Sequence, residues 1–379
     1  MDTLTRTEES SAPEVRLLLA FELSARVWKL GFTVGVGPRP YVRQIPAGAV
    51  EVLAAEITRA QARFGLPAET RVVSCYEAGR EGFWLHRYLE AQGIANQIVD
   101  SSSIEVNRRA RRTKTDRLDL GGLLRLLTRY VAGEAEVWHV VRVPTVAEED
   151  ARHLMRTLAT VTRDRTRTIN RLKGLLMTVG VRVPVDATFL DRVADARLWD
   201  GTVLPPGLQA RLRGQWAQWQ HLTEQLRTLK AAQRPDLATP AGRTIAQLQT
   251  LRAIGPVGAW TLTTELFAWR QIRNRRELAA LVGLVPAVYQ SGDSARDQGI
   301  TKAGNRHVRR VLVQLAWTWL RYQPESALTV WFHRRFGQGS KRLRRIGIIA
   351  LARKLLIALW RFIDTGTVPE GAVLKPGTA

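Results

Sequence analysis

The stretch LLLAFEL at residues 17–23 decides the fold of the N-terminal part of the chain. It is apolar except for Glu22, which is typical of a buried β-strand. Further strand-like stretches follow at residues 26–34 and 41–45, and a helical pattern covers residues 47–64. Three strands and then a helix predict the beginning of a mixed α/β sheet.

The pattern continues with a strand-like run at residues 71–76, a helical pattern at 81–92 and a short strand at 96–99. Three strands followed by helix, strand, helix, strand and helix is the order of the ribonuclease H-like fold. The sequence therefore predicts an α/β domain of this class over residues 15–140. Residues 1–14 are predicted to form a disordered tail.

Acidic residues stand at the ends of these predicted elements. Glu22 lies at the end of the first strand, and Glu77 lies just past the fourth. Asp116 and Asp119, three residues apart and so on one helical face, begin the helix after the fifth strand. Ligands of open α/β sheets bind beyond the carboxyl ends of parallel strands, so these carboxylates are expected to converge. Such an oxygen-rich site suits Mg²⁺ or Mn²⁺, which polarise phosphodiesters and activate an attacking oxygen.

A simpler interpretation also exists for these acids. Asp116 near a helix N-terminus complements the helix dipole, so Asp116 and Asp119 are compatible with a solvated helix start. Glu22 needs a partner or a metal ion unless it faces solvent. We favour the metal site, because apolar residues flank Glu22 and a basic cluster precedes Asp116. That cluster is expected to bind nucleic acid and comprises Arg108, Arg109, Arg111, Arg112 and Lys114.

The composition indicates a polyanionic partner. The 379 residues include 57 Lys and Arg against 34 Asp and Glu, which gives a net charge of +23 and a pI near 11.3. Nucleic acid is the usual partner of so basic a chain. A membrane surface is the competing polyanion, but no lipidation motif supports it. The single cysteine, Cys75, lies in an apolar run and excludes disulfides within the chain and zinc fingers.

No targeting or membrane segment is predicted. The start of the chain is polar and acidic, without the apolar core of a signal peptide. The most hydrophobic late stretch, residues 346–360, is interrupted by Arg353 and Lys354 and is too short to span a bilayer. We therefore expect a cytoplasmic bacterial protein that associates with the nucleoid while it acts.

Residues 141–237 predict a long helical, coiled-coil segment. Thr145 and Glu148 form a capping-box pattern at the start of a helical stretch that runs to about residue 179. A second long helix is predicted at residues 208–233. An antiparallel helical pair used for packing or oligomerisation is the preferred interpretation, and its basic face also offers contacts to nucleic acid.

Residues 238–379 predict an all-α domain with two motifs that suit phosphate binding. Residues 251–259 predict a helix-hairpin-helix. Gly255 and Gly258 let its turn tighten, and the free N–H groups at the start of the next helix can meet a phosphate. A plain packing joint between two helices needs the same glycines. A second motif runs from Ser291 into a basic helix start. Its expected nucleic-acid contacts are Lys302, Asn305, Arg306, Arg309 and Arg310.

Ser291 requires an activating partner if it is to act as a nucleophile. No Asp–His pair is spaced near it as in a protease triad, and His307 alone does not make one. By its own chemistry, a turn residue is the better interpretation of Ser291. The last helical patterns, at residues 327–336 and 342–363, predict an apolar core face and a basic surface.

Four stretches, in this order, resemble the DEDD-type transposases of the insertion-sequence 110/116/902 class. They are YEAGREG at 76–82, VDSSSIEVNRR at 99–109, KTDRLD at 114–119, and the block from Ser291-Gly292 to Gly304-Asn305. The resemblance covers residues 19 to about 331. It implies an N-terminal domain similar to the Holliday-junction resolvase RuvC and a C-terminal domain that carries a serine nucleophile.

The resemblance also implies roles for individual residues. The family's acidic tetrad falls on Glu22, Glu77, Asp116 and Asp119. Its serine falls on Ser291, which ranks above Ser294 because the family motif places serine directly before glycine. The first acid of the family is commonly Asp, and Mg²⁺ is strict about geometry, so the longer Glu22 is the least secure ligand.

By resemblance, the reaction is transposition through a covalent phosphoserine link, which conserves the phosphodiester energy. The implied partners are donor and target DNA, a structured non-coding guide RNA and further copies of the chain in a dimer or tetramer, with no membrane. Two other hypotheses stay open: a metal-dependent junction-resolving nuclease in which water attacks, and a non-catalytic nucleic-acid-binding scaffold.

Overall fold

The computed structural model describes residues 15–79, 81–104, 116–291 and 294–376. The chain divides into two compact units, Met1–Pro144 and Thr145–Ala379. The tail predicted at residues 1–14 and the basic cluster predicted between residues 108 and 114 lie outside the described residues.

The first unit is built on a five-stranded mixed sheet. Its strands are β1 (Leu17–Leu23), β2 (Val27–Thr33), β3 (Tyr41–Pro46), β4 (Val72–Glu77) and β5 (Ala95–Val99). Their spatial order is β3-β2-β1-β4-β5; β2 is antiparallel to β1 and β3, and β4 is parallel to β1 and β5. The helices are α1 (Val50–Arg63), α2 (Trp84–Ala91) and α3 (Asp116–Val131). The predicted mixed α/β domain is confirmed, whereas its ribonuclease H-like, RuvC-like identity stays a prediction.

Alternation along β1 divides its side chains between two cores. Leu17, Leu19 and Phe21 pack on one face of the sheet together with α1 and α2. Leu18 and Ala20 pack on the other face against α3. A strand turns successive side chains to opposite faces, and both faces of β1 are buried, which is why the stretch is nearly continuous in apolar residues.

The sheet seats α3 closely because small residues lie beneath the helix. Gly31 of β2 pairs with Ala20 of β1. A Cβ atom at Gly31 would lie 2.8 Å from Leu124 Cδ1 and 3.1 Å from Leu120 Cγ, closer than real side chains pack. Any larger residue at Gly31 would push α3 away from the sheet.

The second unit begins with a pair of long helices. They are α4 (Val146–Met177) and α6 (Pro206–Ala231), with the short α5 (Phe189–Asp195) between them. The predicted capping box is confirmed, since the Thr145 side chain accepts from Glu148 N and the Glu148 side chain accepts from Thr145 N. Contacts of Met155 with Gln233 and of Arg165 with Thr223 run in opposite chain directions. The pair is therefore antiparallel, as predicted.

The rest of the second unit is a helical region around one large apolar core. Its helices are α7 (Pro240–Thr250), α8 (Pro256–Leu262), α9 (Arg275–Leu281), α10 (Arg306–Tyr322), α11 (Ala327–Phe336) and α12 (Lys341–Thr365). A π-helical turn, Thr263–Phe267, continues α8. Leu312 and Trp319 of α10 and Leu355 of α12 are fully buried in this core. None of the helices in the described ranges is long and apolar enough to cross a bilayer.

The prediction that residues 238–379 are all-α was wrong. An antiparallel hairpin of β6 (Pro286–Ser291) and β7 (Ser294–Ile300) lies between α9 and α10. Val288 and Tyr289 favour extended backbone, and only Gly292 and Asp293 separate the strands in the sequence. The two strands are short and carry many polar residues, so their alternation is easily overlooked beside the long apolar helices.

Candidate functional site

Glu22 and Glu77 occupy matched positions at one edge of the sheet. The parallel pairing of β1 with β4 runs to Phe21 opposite Tyr76, and the two glutamates are the next residue on each strand. Glu77 is exposed, and its charge reaches the thiol of Cys75 on the α3 side of the sheet. Burial first, and then Glu77, raises the pKa of Cys75 far above its usual range, so this thiol stays protonated. The strands thus bring two of the predicted acids to one carboxyl edge.

Glu22 already has a positively charged neighbour. Lys29 stands directly opposite Glu22 in the β1–β2 pairing, and Lys29 Nζ lies 3.6 Å from Glu22 Oε2. Both side chains are about one quarter exposed. The ion pair accounts for a glutamate in an apolar strand without requiring a metal ion. Metal binding by Glu22 stays a prediction.

Asp116 and Asp119 lie in the first turn of α3, and the helix begins at Asp116. This helix packs on the sheet face that carries Cys75, through Leu120 and Leu124. The side chains of residues 116–119 lie outside what the structure describes, as does the preceding basic cluster. The structure therefore brings the backbone of the third acidic segment to the sheet face of the other two, and the convergence of all four carboxylates stays a prediction.

The predicted donor set fits a hard divalent cation. Carboxylate oxygens are the ligands that Mg²⁺ and Mn²⁺ prefer, and Glu22 and Glu77 place two carboxylates on adjacent strands. Among the residues that the structure describes, no group of three His, Cys, Asp or Glu side chains is placed to hold a metal ion. Asp116 and Asp119 are thus needed to complete the proposed site.

Both candidate serines flank the connection of the β6–β7 hairpin. Ser291 is the last residue of β6, Ser294 is the first residue of β7, and the two pair with each other. The strand ladder holds the backbone of both residues, and chain segments that connect two strands often carry functional residues. The structure does not describe the side chains of the two serines, so the choice between Ser291 and Ser294 stays a prediction.

The loop after the hairpin has an unusual backbone. Lys302 is exposed and has a positive φ of 55°, and Gly304 has a φ of 83°. A Cβ atom at Gly304 would collide with the backbone oxygen of Leu281, so only glycine fits this approach. The loop ends at Asn305, whose Oδ1 accepts hydrogen bonds from the first-turn N–H groups of α10.

The predicted phosphate contacts in this region divide into two groups. Arg306 and Arg310 are exposed on the first turns of α10, as expected for groups that meet a polyanion. Arg309 turns inward, and its Nη1 donates to Val282 O at 2.8 Å. The side chain of Asn305 is occupied as a helix cap. Direct phosphate contact therefore suits Lys302, Arg306 and Arg310 better, while Arg309 and Asn305 hold the loop.

The glycines of the predicted helix-hairpin-helix differ in their surroundings. Gly255 is exposed and caps the start of α8. Gly258 is buried, and a Cβ atom there would lie 3.1 Å from Leu315 Cδ2 of α10. Gly258 thus has a packing reason to be glycine, which was the alternative interpretation from the sequence. Phosphate binding at this joint stays a prediction.

A buried acid that the sequence analysis missed lies beside this loop. Glu265 in the π-helical turn is 1% exposed and accepts from Arg156 of α4 through Nε at 2.6 Å and Nη2 at 2.9 Å. Asn305 Nδ2 donates to the same carboxylate at 2.8 Å, and Arg152 Nε lies 3.4 Å from it. Burial alone would raise the pKa of Glu265, but the hydrogen bonds and charge of Arg156, with Asn305 and Arg152, hold it below its usual range. The signal in the sequence was a glutamate at helical spacing between Leu262 and Trp269.

His307 lies in the first turn of α10, and the charges of Glu265 and Arg156 act on its imidazole. Burial lowers its pKa below the usual range, and the charge of Arg156 acts in the same direction, whereas Glu265 opposes them. The imidazole is therefore neutral near pH 7. No acid–base partner for it was predicted from the sequence.

Comparison with known proteins shows which proteins the chain is similar to. The family described as Transposase IS116/IS110/IS902 matches residues 245–331. The protein y4rJ of Sinorhizobium fredii, named as a transposase, is 38% identical over 377 residues, which span 95% of this chain and 94% of that protein. The chain belongs to the IS116/IS110/IS902 family of transposases. The predicted family resemblance is confirmed at this level.

Two transposases of lower identity match less of the chain. The transposase for insertion sequence element IS1328 of Yersinia enterocolitica is 28% identical over 233 residues, or 61% of this chain and 67% of that protein. The transposase for IS1111A of Coxiella burnetii is 24% identical over 253 residues, 64% of each chain. The stretch that matches the family includes Glu265, Ser291 and Asn305. The buried acid and the serine hairpin thus belong to the same family-matched segment.

A basic surface follows this family-matched segment at the corner between α11 and α12. Residues 326–363 contain no Asp or Glu, so nothing within that stretch offsets its positive charge. The exposed cations of the corner are Arg334, Arg335, Lys341, Arg342, Arg344 and Arg345. This surface is the predicted basic face of the last helices, and it suits a transposase that must hold a polyanion.

Proposed function

We propose that this transposase cuts and rejoins DNA strands through Ser291, assisted by a divalent-metal site of Glu22, Glu77, Asp116 and Asp119. The observation that carries the proposal is the matched position of Glu22 and Glu77 at the carboxyl edge of adjacent parallel strands. Such edges are where α/β sheets bind their ligands. The start of α3 at Asp116, on a helix packed on the same face, adds to this support.

The serine step exchanges one phosphoester for another. Ser291 Oγ attacks a backbone phosphorus, a bond from Oγ to phosphorus forms, and the bond from phosphorus to the 3′ oxygen breaks. The serine proton leaves Oγ, and the departing oxygen takes up a proton to become a 3′-hydroxyl, so the DNA 5′ phosphate stays on the enzyme. The reverse exchange with another strand's 3′-hydroxyl rejoins DNA without ATP.

The acids would hold Mg²⁺ or Mn²⁺. When bound, this cation supplies charge stabilisation at the phosphate and helps to activate the attacking oxygen. Lys29 would neutralise the charge of Glu22 while no metal ion is bound to that carboxylate. Replacing Asp116 and Asp119 with Asn removes charged oxygens at constant size, so strand cleavage should stop while DNA binding continues. Normal recombination by that double variant would exclude the metal site.

DNA is the proposed substrate, and its backbone is bound by exposed cations. Lys302, Arg306 and Arg310 lie beside the serine hairpin, and the α11–α12 corner offers further positive charge. The charge of the basic cluster before Asp116 suits it to bind nucleic acid as well, and, by family resemblance, an element-encoded structured RNA guides the enzyme. If an RNA guides the enzyme, RNA should copurify with the protein, and removal of that RNA should abolish the selectivity for particular DNA sequences. A salt-independent DNA affinity would exclude these surfaces as the binding face.

The chain is proposed to act as a homo-oligomer. Exchange of four DNA strands needs more than one reactive serine, and the family resemblance favours a dimer or tetramer. Light scattering of the protein with its nucleic acids measures the mass directly. A monomer that carries out full strand exchange would contradict the proposal.

The central test is a covalent adduct on Ser291. Wild-type protein is incubated with end-labelled DNA and divalent metal, and the protein–DNA adduct is mapped by peptide mass spectrometry. Ser291→Ala should abolish adduct and recombination, whereas the matched control Ser294→Ala should retain both. An adduct on Ser294 would overturn the assignment of the nucleophile. Cleavage by wild-type protein without any adduct would favour attack by water and the nuclease hypothesis.

A further inference from the structure

The carboxylate of Glu265 joins three separate parts of the second unit. Arg156 reaches it from α4 with two hydrogen bonds, at 2.6 and 2.9 Å. Asn305 reaches it from the start of α10 with one hydrogen bond at 2.8 Å. Glu265 itself sits in a π-helical turn at the end of α8. A long helix and the loop behind the serine hairpin are thus connected through one carboxylate.

Stability alone does not explain this arrangement. The surrounding core is apolar, and apolar residues of similar volume in place of a buried ion pair are often as stabilising. A π-helical turn is a rare distortion of a helix and is frequently found at functional sites. What hydrogen-bonded charges add is direction: the two-point contact of an Arg with a carboxylate sets angle and distance, whereas apolar packing is non-directional.

The direction matters because of what Asn305 holds. Its Oδ1 accepts from His307 N at 2.9 Å and Val308 N at 3.2 Å, so it positions the first turn of α10. Its own N–H donates to Leu281 O at 2.8 Å, which holds the end of the loop against α9. The exposed Arg306 lies on that first turn.

We propose that Glu265 is a positioning residue that couples α4 to the serine hairpin. The chain of contacts Arg156–Glu265–Asn305 sets the place of residues 301–308, and these residues follow directly from β7, the partner strand of Ser291. Glu265 is buried and does not contact DNA; it acts through Asn305. The proposal rests on the proposed role of Ser291, and it makes α4 the element that fixes the loop behind that serine.

Three variants separate coupling from general stability. Asn305→Ser keeps an oxygen that caps α10, because Ser caps helices as well as Asn does, but it removes the amide that donates to Glu265. Arg156→Lys keeps a positive charge on α4 but loses the two-point hydrogen bond. Asn274→Ser is the matched control, since Asn274 caps α9 in the same way through its own first-turn N–H groups.

The first measurement is amide hydrogen exchange in the full-length protein. Arg156→Lys should speed exchange in residues 301–308 by roughly 10-fold, the effect of losing about one hydrogen bond, although the substitution lies in α4. Asn305→Ser should do the same, and Asn274→Ser should leave this segment unchanged. Unchanged exchange of residues 301–308 in Arg156→Lys would overturn the coupling.

The second measurement is the rate of serine–DNA adduct formation. Asn305→Ser and Arg156→Lys should slow it on the order of 10- to 100-fold, the effect of a displacement of about 1 Å, with the DNA dissociation constant within about twofold of wild type. The control Asn274→Ser should form adduct at the wild-type rate. A wild-type rate in Asn305→Ser, or an equal loss in Asn274→Ser, would overturn the positioning role.

The two measurements distinguish an error in the proposed function from an error in the role given to Glu265. If wild-type protein forms no serine adduct at all, the proposed function is wrong, and hydrogen exchange alone then decides whether α4 and residues 301–308 are coupled. If wild-type protein forms the adduct but Arg156→Lys changes neither exchange nor rate, the proposed function stands and the role given to Glu265 is wrong.

Discussion

Within the part of the chain that the structure describes, each unit buries one glutamate between two arginines, and the two clusters differ in the exposure of those arginines. In the first unit, Glu56 of α1 accepts from Arg43 Nε at 3.0 Å and Arg59 Nη1 at 2.6 Å. In the second unit, Glu265 is held by Arg152 and Arg156. Glu56 is 2% exposed and Glu265 is 1% exposed, so the two carboxylates themselves are equally removed from water.

The arginines make the difference. Arg43 and Arg59 are 45% and 62% exposed, whereas Arg152 and Arg156 are 12% and 35% exposed. Water can therefore solvate the cations around Glu56 but much less those around Glu265. One cluster joins β3 to α1, and the other joins α4 to the π-helical turn. The same residue types thus form a cluster whose cations are open to water and salt in one place, and a cluster whose cations are largely shielded in the other.

The largest effect is expected from breaking the deeper cluster. Arg156→Met keeps most of the side-chain volume but leaves the Glu265 charge short of its main partner. Removing one partner of a buried ion pair costs about 3–5 kcal/mol, so the unfolding free energy should fall by about that amount. Urea denaturation followed by circular dichroism measures it. A loss below about 1 kcal/mol would show that water solvates Glu265 in the folded protein.

An intermediate loss of stability is expected when the pH is lowered. The pKa of Glu265 in the folded protein lies below its usual range. Its ion pairs therefore stabilise the fold at pH values above the pKa that this glutamate has in the unfolded chain. That contribution is lost as the pH falls from the usual range of Glu through the lower folded pKa. Glu265→Gln has no such carboxylate and should lose less stability than wild type over this acidic window. Parallel melting curves of the two proteins over the window would contradict the linkage.

The smallest effect is expected from the exposed cluster. Arg59→Met removes an arginine that is more than half exposed, and surface ion pairs are worth about 0–1 kcal/mol. The unfolding free energy should change by less than about 1 kcal/mol, and by still less at high salt. A loss as large as that of Arg156→Met would show that exposure of the arginines is not what separates the two clusters.

The N-terminal fold was predictable because its signals are local. The central strands β1 and β4 are short, largely apolar runs, and the alternation along LLLAFEL serves two buried faces. Thr145 and Glu148 are three residues apart, so their capping box is visible in the sequence. The hairpin that contains Ser291 was missed, because two short strands with many polar residues give a weak signal between long helices.

The candidate site was predictable only in part. The sequence order identified Glu22 and Glu77 as strand-end acids, and their matched positions follow from the strand pairing. Lys29 opposite Glu22 depends on the register of β1 with β2, which no single segment specifies. The inward turn of Arg309 is likewise a result of packing, since Arg306, Arg309 and Arg310 are alike in the sequence.

By itself, the sequence determined the classes of structure and partner: an α/β beginning, an antiparallel helical pair, a helical end and a strong positive charge. These follow from periodicity and composition, which each segment carries alone. Only the tertiary structure decided that Glu265 is buried against Arg156 and Asn305, because those partners are 109 and 40 residues away. A charge with distant partners has no local signature, since only the folded chain brings those partners within hydrogen-bond distance.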